Sequence, residues 1–186
     1  MEALAARIAA FCLQKHYIES DQIAWLQYGL TSRLMGMVTF LLLLPIGAFF
    51  GGWESTFLFL LIFRFLRTRT GGFHAKTPSA CFFCSAFTMI VSLEFAKRLC
   101  PIWDMVCLIT GTFLIIKLAP ANNAALHLNI EEFAAIQRRI VLRLSTVMLF
   151  VLLLWIFNEP LAYQGISAIL AVAGTLLASK LGFGMQ

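Results

Sequence analysis

Charge is what this sequence has least of. Asp, Glu, Lys and Arg make up 12% of its 186 residues and apolar residues 61%, far from the balance of a soluble domain. Together with a mean hydropathy of +0.88, this excludes a water-soluble globule and indicates a polytopic membrane protein. Acidic residues are the scarcer sign, 9 against 14 Lys and Arg. The resulting net charge of +5 calls for no nucleic acid, because cytoplasmic loops of membrane proteins collect Lys and Arg. The N-terminus lacks a long apolar core before a small-residue cleavage site, since Arg7 and Lys15 interrupt it; no cleavable signal peptide is expected. Internal repeats and low-complexity tracts are absent too. The chain has room for about six short spans, so the expected fold is all-α, a single polytopic membrane helix bundle over residues 1–186.

What is present is a series of apolar runs. Residues 34–53 carry no charge between Arg33 and Glu54, a first span in which Pro45 makes a tolerable kink. Only nine residues separate Glu54 from Arg64, so 54–66 is expected to enter the membrane at an angle, with Arg64 snorkelling. Further spans are expected at 78–99, 102–118, 140–157 and 161–179, with Asn158-Glu159-Pro160 as a tight turn. Ahead of them, 1–32 reads as amphipathic helix. Leu4, Ile8, Phe11 and Cys12 recur at helical spacing, suited to lying on a membrane surface or to packing as a cytoplasmic cap. Ser20 is expected to cap a second helix carrying Ile23, Leu26, Leu30 and Leu34. Six spans with the N-terminus inside put twelve basic residues in the cytoplasm and two, Lys97 and Arg98, outside. Both termini and the 67–81 stretch are therefore expected at the cytoplasmic face.

That stretch gathers the chemically capable residues: Arg67, Arg69, Gly71, Gly72, His74, Lys76 and Cys81. On one helix, His74 and Cys81 would share a face but lie about 10 Å apart along the axis. Pro78 argues against that helix. The better reading makes Thr77 an N-cap, Pro78 the first helical residue and Cys81 a first-turn residue, with Gly71 and Gly72 turning the loop back. A thiol in a helix's first turn, near an imidazole and three cations, is where a nucleophilic thiolate is stabilised. Cys81 and Cys84 also form a C-x-x-C. A redox pair is disfavoured in a reducing cytoplasm, and zinc lacks a fourth ligand, so no metal or cofactor is expected. Cys12, Cys100 and Cys107 read as small hydrophobes, and His16 and His127 as interfacial or loop residues. Glu94, about 20 Å up a helix from Cys81, finds its partners in Lys97 and Arg98.

Gly71-Gly72-Phe73-His74-Ala75, with Arg67 seven residues before the His and Cys81 seven after, resembles the accessory gene regulator B (AgrB) family. These are membrane cysteine endopeptidases that process the pro-peptide of a bacterial quorum-sensing signal. Length and hydrophobic layout are similar as well. Ala119-Pro120-Ala121-Asn122-Asn123 resembles the family's Ala-Pro loop, with Asn and Ala where the family often carries Asp and Lys. The resemblance implies a bacterial cell-membrane enzyme in which His74 deprotonates Cys81. The resulting thioester is then attacked by an internal thiol or hydroxyl of the peptide, giving a thiolactone or lactone. It backs Arg67 and Gly72 by position, and it implies a homodimer and a substrate with an amphipathic helix and an acidic tail. Arg67, Arg69 and Lys76 are candidates to hold that tail. Arg138, Arg139 and Arg143 read more plainly as loop charge. A third member that orients His74 would be Asn122 or Asn123. Two other classes remain: a small peptide transporter hinged at the Gly-Gly loop, and a thiol oxidoreductase using both Cys81 and Cys84.

Overall fold

The computed structural model describes residues 2–15, 17–73, 77–121 and 130–182, which form seven α-helices and a short 3-10 turn. They divide into two compact units, Met1–Leu43 and Leu44–Gln186.

In the first unit, α1 (Glu2–Gln14) buries Ala5 and Ala9 and leaves Leu4, Ile8 and Phe11 exposed. The packed face is thus the small-residue one, and the large apolar stripe is turned outward, as a helix resting on a bilayer requires. A 3-10 turn, Ser20–Gln22, follows; its cap position is Glu19, so Ser20 lies inside the turn and does not cap a helix. From there α2 (Ile23–Gly51) runs unbroken through both the expected surface helix and the expected first span. A lone Arg33 is no helix breaker, and extending an existing helix is cheaper than nucleating another. Pro45 sits inside α2 without ending it. Trp25 and Tyr28 are exposed on the early turns, where membrane interfaces favour aromatic rings.

The second unit is built around α7 (Glu159–Lys180). Helices α5 (Pro101–Leu118), α6 (Ile130–Phe157), α3 (Trp53–Thr70) and α4 (Pro78–Ala96) form an arc, each packed on α7 and each on its neighbour in the arc. The two ends of the arc, α4 and α5, share little or no contact among the described residues. In lipid, apolar side chains gain nothing by leaving solvent, so helices associate where small residues let backbones come close. α7 supplies Ala162, Gly165, Ser167, Ala168 and Ala173, all buried. A Cβ at Gly165 would stand 2.5 Å from Val151 Cγ2 on α6, and one at Gly111 of α5 would stand 3.1 Å from Ile169 Cγ2. Gly47, at the end of α2, seats in the same way 2.4 Å from Thr56 Cγ2.

Five helices are long and apolar enough to cross a membrane: α2, α4, α5, α6 and α7. α3 is not among them, although six spans were expected. It is longer than the 54–66 anticipated, at 18 residues or about 27 Å. Three arginines in its second half dilute its apolar character, and its Thr56, Phe59, Leu66 and Thr70 are buried against the other helices. At the ends the local rules hold. Asn158 caps α7 by accepting the Leu161 N–H at 3.3 Å, and Lys97 pairs with Glu94 at 2.7 Å while capping the Phe50 carbonyl.

One polar group in the α5–α7 contact is unprovided for. Asp104 is 1% exposed and neither of its carboxylate oxygens has a hydrogen bond. The Tyr163 hydroxyl faces it but donates to Glu159. Asp104→Asn supplies a donor for the Tyr163 oxygen and removes a buried acceptor, so it should raise stability by about 1 kcal/mol. Gly165→Ala should lower it by about 1–3 kcal/mol, because the stiff Val151 must give way. Thermal unfolding of the detergent-solubilised protein reads both.

Candidate functional site

The candidate site is assembled from three chain ends. The first is the C-terminus of α3. Gly71 caps it at φ +70° and returns its N–H to the Arg67 carbonyl at 3.1 Å; Gly72 follows at φ +124°. L side chains avoid both conformations, so here the glycine pair is what allows the reversal. Arg67 and Arg69 lie on the last turn of the helix, so the 67–81 stretch begins as a helix end and closes, as expected, with a helix start at Pro78.

Arg67 holds the reversal in place. Its Nη2 donates to the Phe73 carbonyl, and its guanidinium sits 5.7 Å from the Phe63 ring centroid. The Phe73 N–H donates in turn to the Thr175 carbonyl of α7 at 3.0 Å. Both backbone groups of the residue before His74 are therefore fixed, one by α3 and one by α7. Among the described residues Arg67 Nη1 is buried with no hydrogen-bond partner, and a Cβ at Gly72 would stand 2.8 Å from it. Burial lowers the Arg67 pKa from its ordinary value, and the charge of Cys81 acts against that shift. Cys81 is thus within electrostatic reach of the guanidinium.

The second end is the start of α4. Thr77 is the N-cap, in extended conformation, and its Oγ1 accepts the Ala80 N–H at 3.3 Å; Pro78 opens the helix. The Cys81 N–H donates to the Thr77 carbonyl at 3.0 Å, which sets the half-buried thiol in the first turn. Cys84, one turn on, is exposed and lines an apolar groove of about 620 Å³ with Phe73, Phe87, Gly174, Thr175 and Ala178. The groove opens between α4 and α7, on the side that the arc leaves uncovered.

The third end is the segment after α5. The Ala121 N–H donates to the Thr70 carbonyl at 2.9 Å, and a Cβ on Gly71 would meet the Ala121 oxygen at 3.4 Å. The Ala-Pro segment, some fifty residues downstream of the glycines, is therefore seated directly on them.

Of the residues singled out from sequence, Arg67, Gly71, Gly72 and Cys81 come together at these ends, and Arg69 stands exposed beside them. His74, Lys76, Asn122 and Asn123 lie outside the described residues, as do His16 and His127. Arg143 is more than loop charge: its Nη1 donates to Phe65 O and Thr68 Oγ1, both at 2.8 Å, tying α6 to the end of α3. Thr175 went unnoticed in the sequence. It sits in a run of small α7 residues that carries no local signal, and only the packing of α7 brings its carbonyl to Phe73. Two variants test the reversal. Gly72→Ala meets both a forbidden φ and Arg67, and Arg67→Lys loses the second arm of the fork. Each should lower the thermal unfolding temperature of the purified protein while leaving its helical content unchanged, as read by circular dichroism.

Comparison with known proteins follows the same landmarks. The family model for accessory gene regulator B matches residues 5–178. Protein FsrB of Enterococcus faecalis is 36% identical over 63 residues, a stretch covering 34% of this chain and 26% of that protein. No solved structure matches. With nearly its whole length matched, the chain belongs to the accessory gene regulator B family.

Proposed function

We propose that the protein is a cysteine endopeptidase that cuts a signal pro-peptide and closes its N-terminal part into a ring. The observation that carries this reading is the position of Cys81: a half-buried thiol in the first turn of a capped helix, within electrostatic reach of the half-buried Arg67. Helix N-termini and nearby cations favour a thiolate. His74, next to the anchored Phe73, is the base. It takes the thiol proton, the thiolate attacks a substrate carbonyl, and the amide bond breaks as His74 returns the proton to the leaving amine. In the first turn, Thr77 already occupies the Ala80 and Cys81 N–H groups, and Pro78 has none. That leaves the Ser79 N–H as the backbone donor for the oxyanion.

The acyl group then rests on Cys81 as a thioester. Attack by an internal thiol or hydroxyl of the peptide forms the ring bond and expels the Cys81 thiolate. The reaction needs water kept away, and the apolar groove beside Phe73 supports that. Lys76 is the candidate to hold an acidic tail, since Arg143 is engaged at the end of α3 and Arg69 stands beside it. Asn122 or Asn123 would orient His74, and two copies of the chain would work as a homodimer with both termini and the site at the cytoplasmic face.

Mass spectrometry of a co-expressed candidate precursor tests the reading. Membranes holding the wild type or Cys84→Ala should shorten it and Cys81→Ala should not. His74→Ala should slow cleavage by about 10²–10⁴-fold. Processing by Cys81→Ala would remove the assigned nucleophile. An equal loss in Cys84→Ala would instead favour the oxidoreductase reading.

A further inference from the structure

The end of α3 carries more positive charge than the candidate site uses. Arg143 reaches across from α6, its guanidinium 4.7 Å from the Phe65 ring centroid and its Nη1 spent on Phe65 O and Thr68 Oγ1. Arg69 is the next residue after Thr68, and its like charge is felt at Arg143. Among the described residues no carboxylate answers either one; the ion pair found there, Lys97–Glu94, belongs to α4. Among the described side chains Arg143 keeps Nε and Nη2 free of hydrogen bonds, and Arg69 its whole head. Like charges brought together without a counter-charge are unfavourable unless an anion bridges them.

Depth decides which anion. Arg143 is the last charged residue before the uncharged stretch 144–157. Phe65, Leu142 and Leu149 beside it are exposed, as acyl chains require. The two guanidiniums therefore stand at the border between apolar surface and polar loops, where phospholipid phosphates lie. We infer that Arg69 and Arg143 form a binding site for the headgroup of an anionic phospholipid, the phosphate bridging them and an acyl chain running over Phe65 along α6. The lipid would clamp α6 to the turn of α3 that launches Arg67 and the glycine pair. The site does not depend on the peptidase reading.

The test is native mass spectrometry of the full-length protein in neutral detergent, offered phosphatidylglycerol and phosphatidylcholine of identical acyl chains. Wild type should retain phosphatidylglycerol preferentially. Each arginine removed should cost about fivefold of that preference, so Arg69→Gln/Arg143→Gln should bring the two lipids near parity while Arg98→Gln, at the other end of the protein, changes nothing. Arg143 also anchors α3, so Arg69→Gln alone is the safeguard: an exposed side chain with no protein bond, its loss should still cost about fivefold. Equal retention of both lipids by wild type, or an unchanged preference in Arg69→Gln, overturns the site. Release of phosphatidylglycerol by millimolar inorganic phosphate would make it a free-phosphate site, and release by a glutamate-rich peptide a carboxylate site; either result overturns the lipid assignment.

Discussion

The structure depends on close approach to α7. A membrane bundle cannot use the hydrophobic effect to press its helices together, so cohesion falls to van der Waals contact, which is short-ranged and needs small side chains at the interface. α7 is the helix that provides them, with Gly165 seated against Val151 and Ala162, Ala168 and Ala173 buried beside it. The same helix carries Thr175, whose carbonyl receives the Phe73 N–H. Packing of the bundle and placement of the candidate site are therefore one event: wherever α7 sits, the loop before His74 follows.

Around that centre the site uses helix ends because ends have unspent backbone groups. The last turn of α3 offers free carbonyls, and Gly71 and Ala121 answer two of them, at Arg67 and Thr70, while Arg143 donates to the Phe65 carbonyl just before that turn. The first turn of α4 offers free N–H groups, and Thr77 takes two. The carbonyl end of α3 attracts cations and the amide end of α4 attracts an anion. Arginines gather at the first and the Cys81 thiol stands on the second.

Legibility in the sequence followed the range of the interaction. Thr77-Pro78 is a cap made by residues three positions apart and appears in the structure as the sequence suggests, while Asn158, read as part of a tight turn, caps α7 over the same spacing. The glycine pair is read just as readily, since a positive φ is a property of one residue. Long-range features were not legible. Nothing in α7 marks it as the centre, because alanines and glycines look alike whether they face lipid or another helix. α3 looked too short because its arginines interrupt the apolar pattern, yet burial by its neighbours carries the helix on to Thr70. Arg143 looked like ordinary loop charge because its partners are 75 and 78 residues away.

Arg67 shows why a half-buried charge suits this position better than an apolar residue. An apolar side chain at the end of α3 would pack as well against Phe63 but would leave the Phe73 carbonyl unanswered in a water-poor pocket, a loss of about 1–3 kcal/mol. A lysine would satisfy that carbonyl as a point charge, without a second donor fixed in direction. The planar fork allows one arm to hold the loop while the other, Nη1, is kept buried and unpaired beside Gly72. Gly72, at φ +124°, leaves room for that arm: a Cβ there would stand 2.8 Å from Nη1 and 3.3 Å from the Thr175 carbonyl oxygen. The Arg-x-x-x-Gly-Gly spacing is then a steric requirement of one hydrogen-bonded turn, and the desolvated charge it creates lies within reach of the Cys81 thiol.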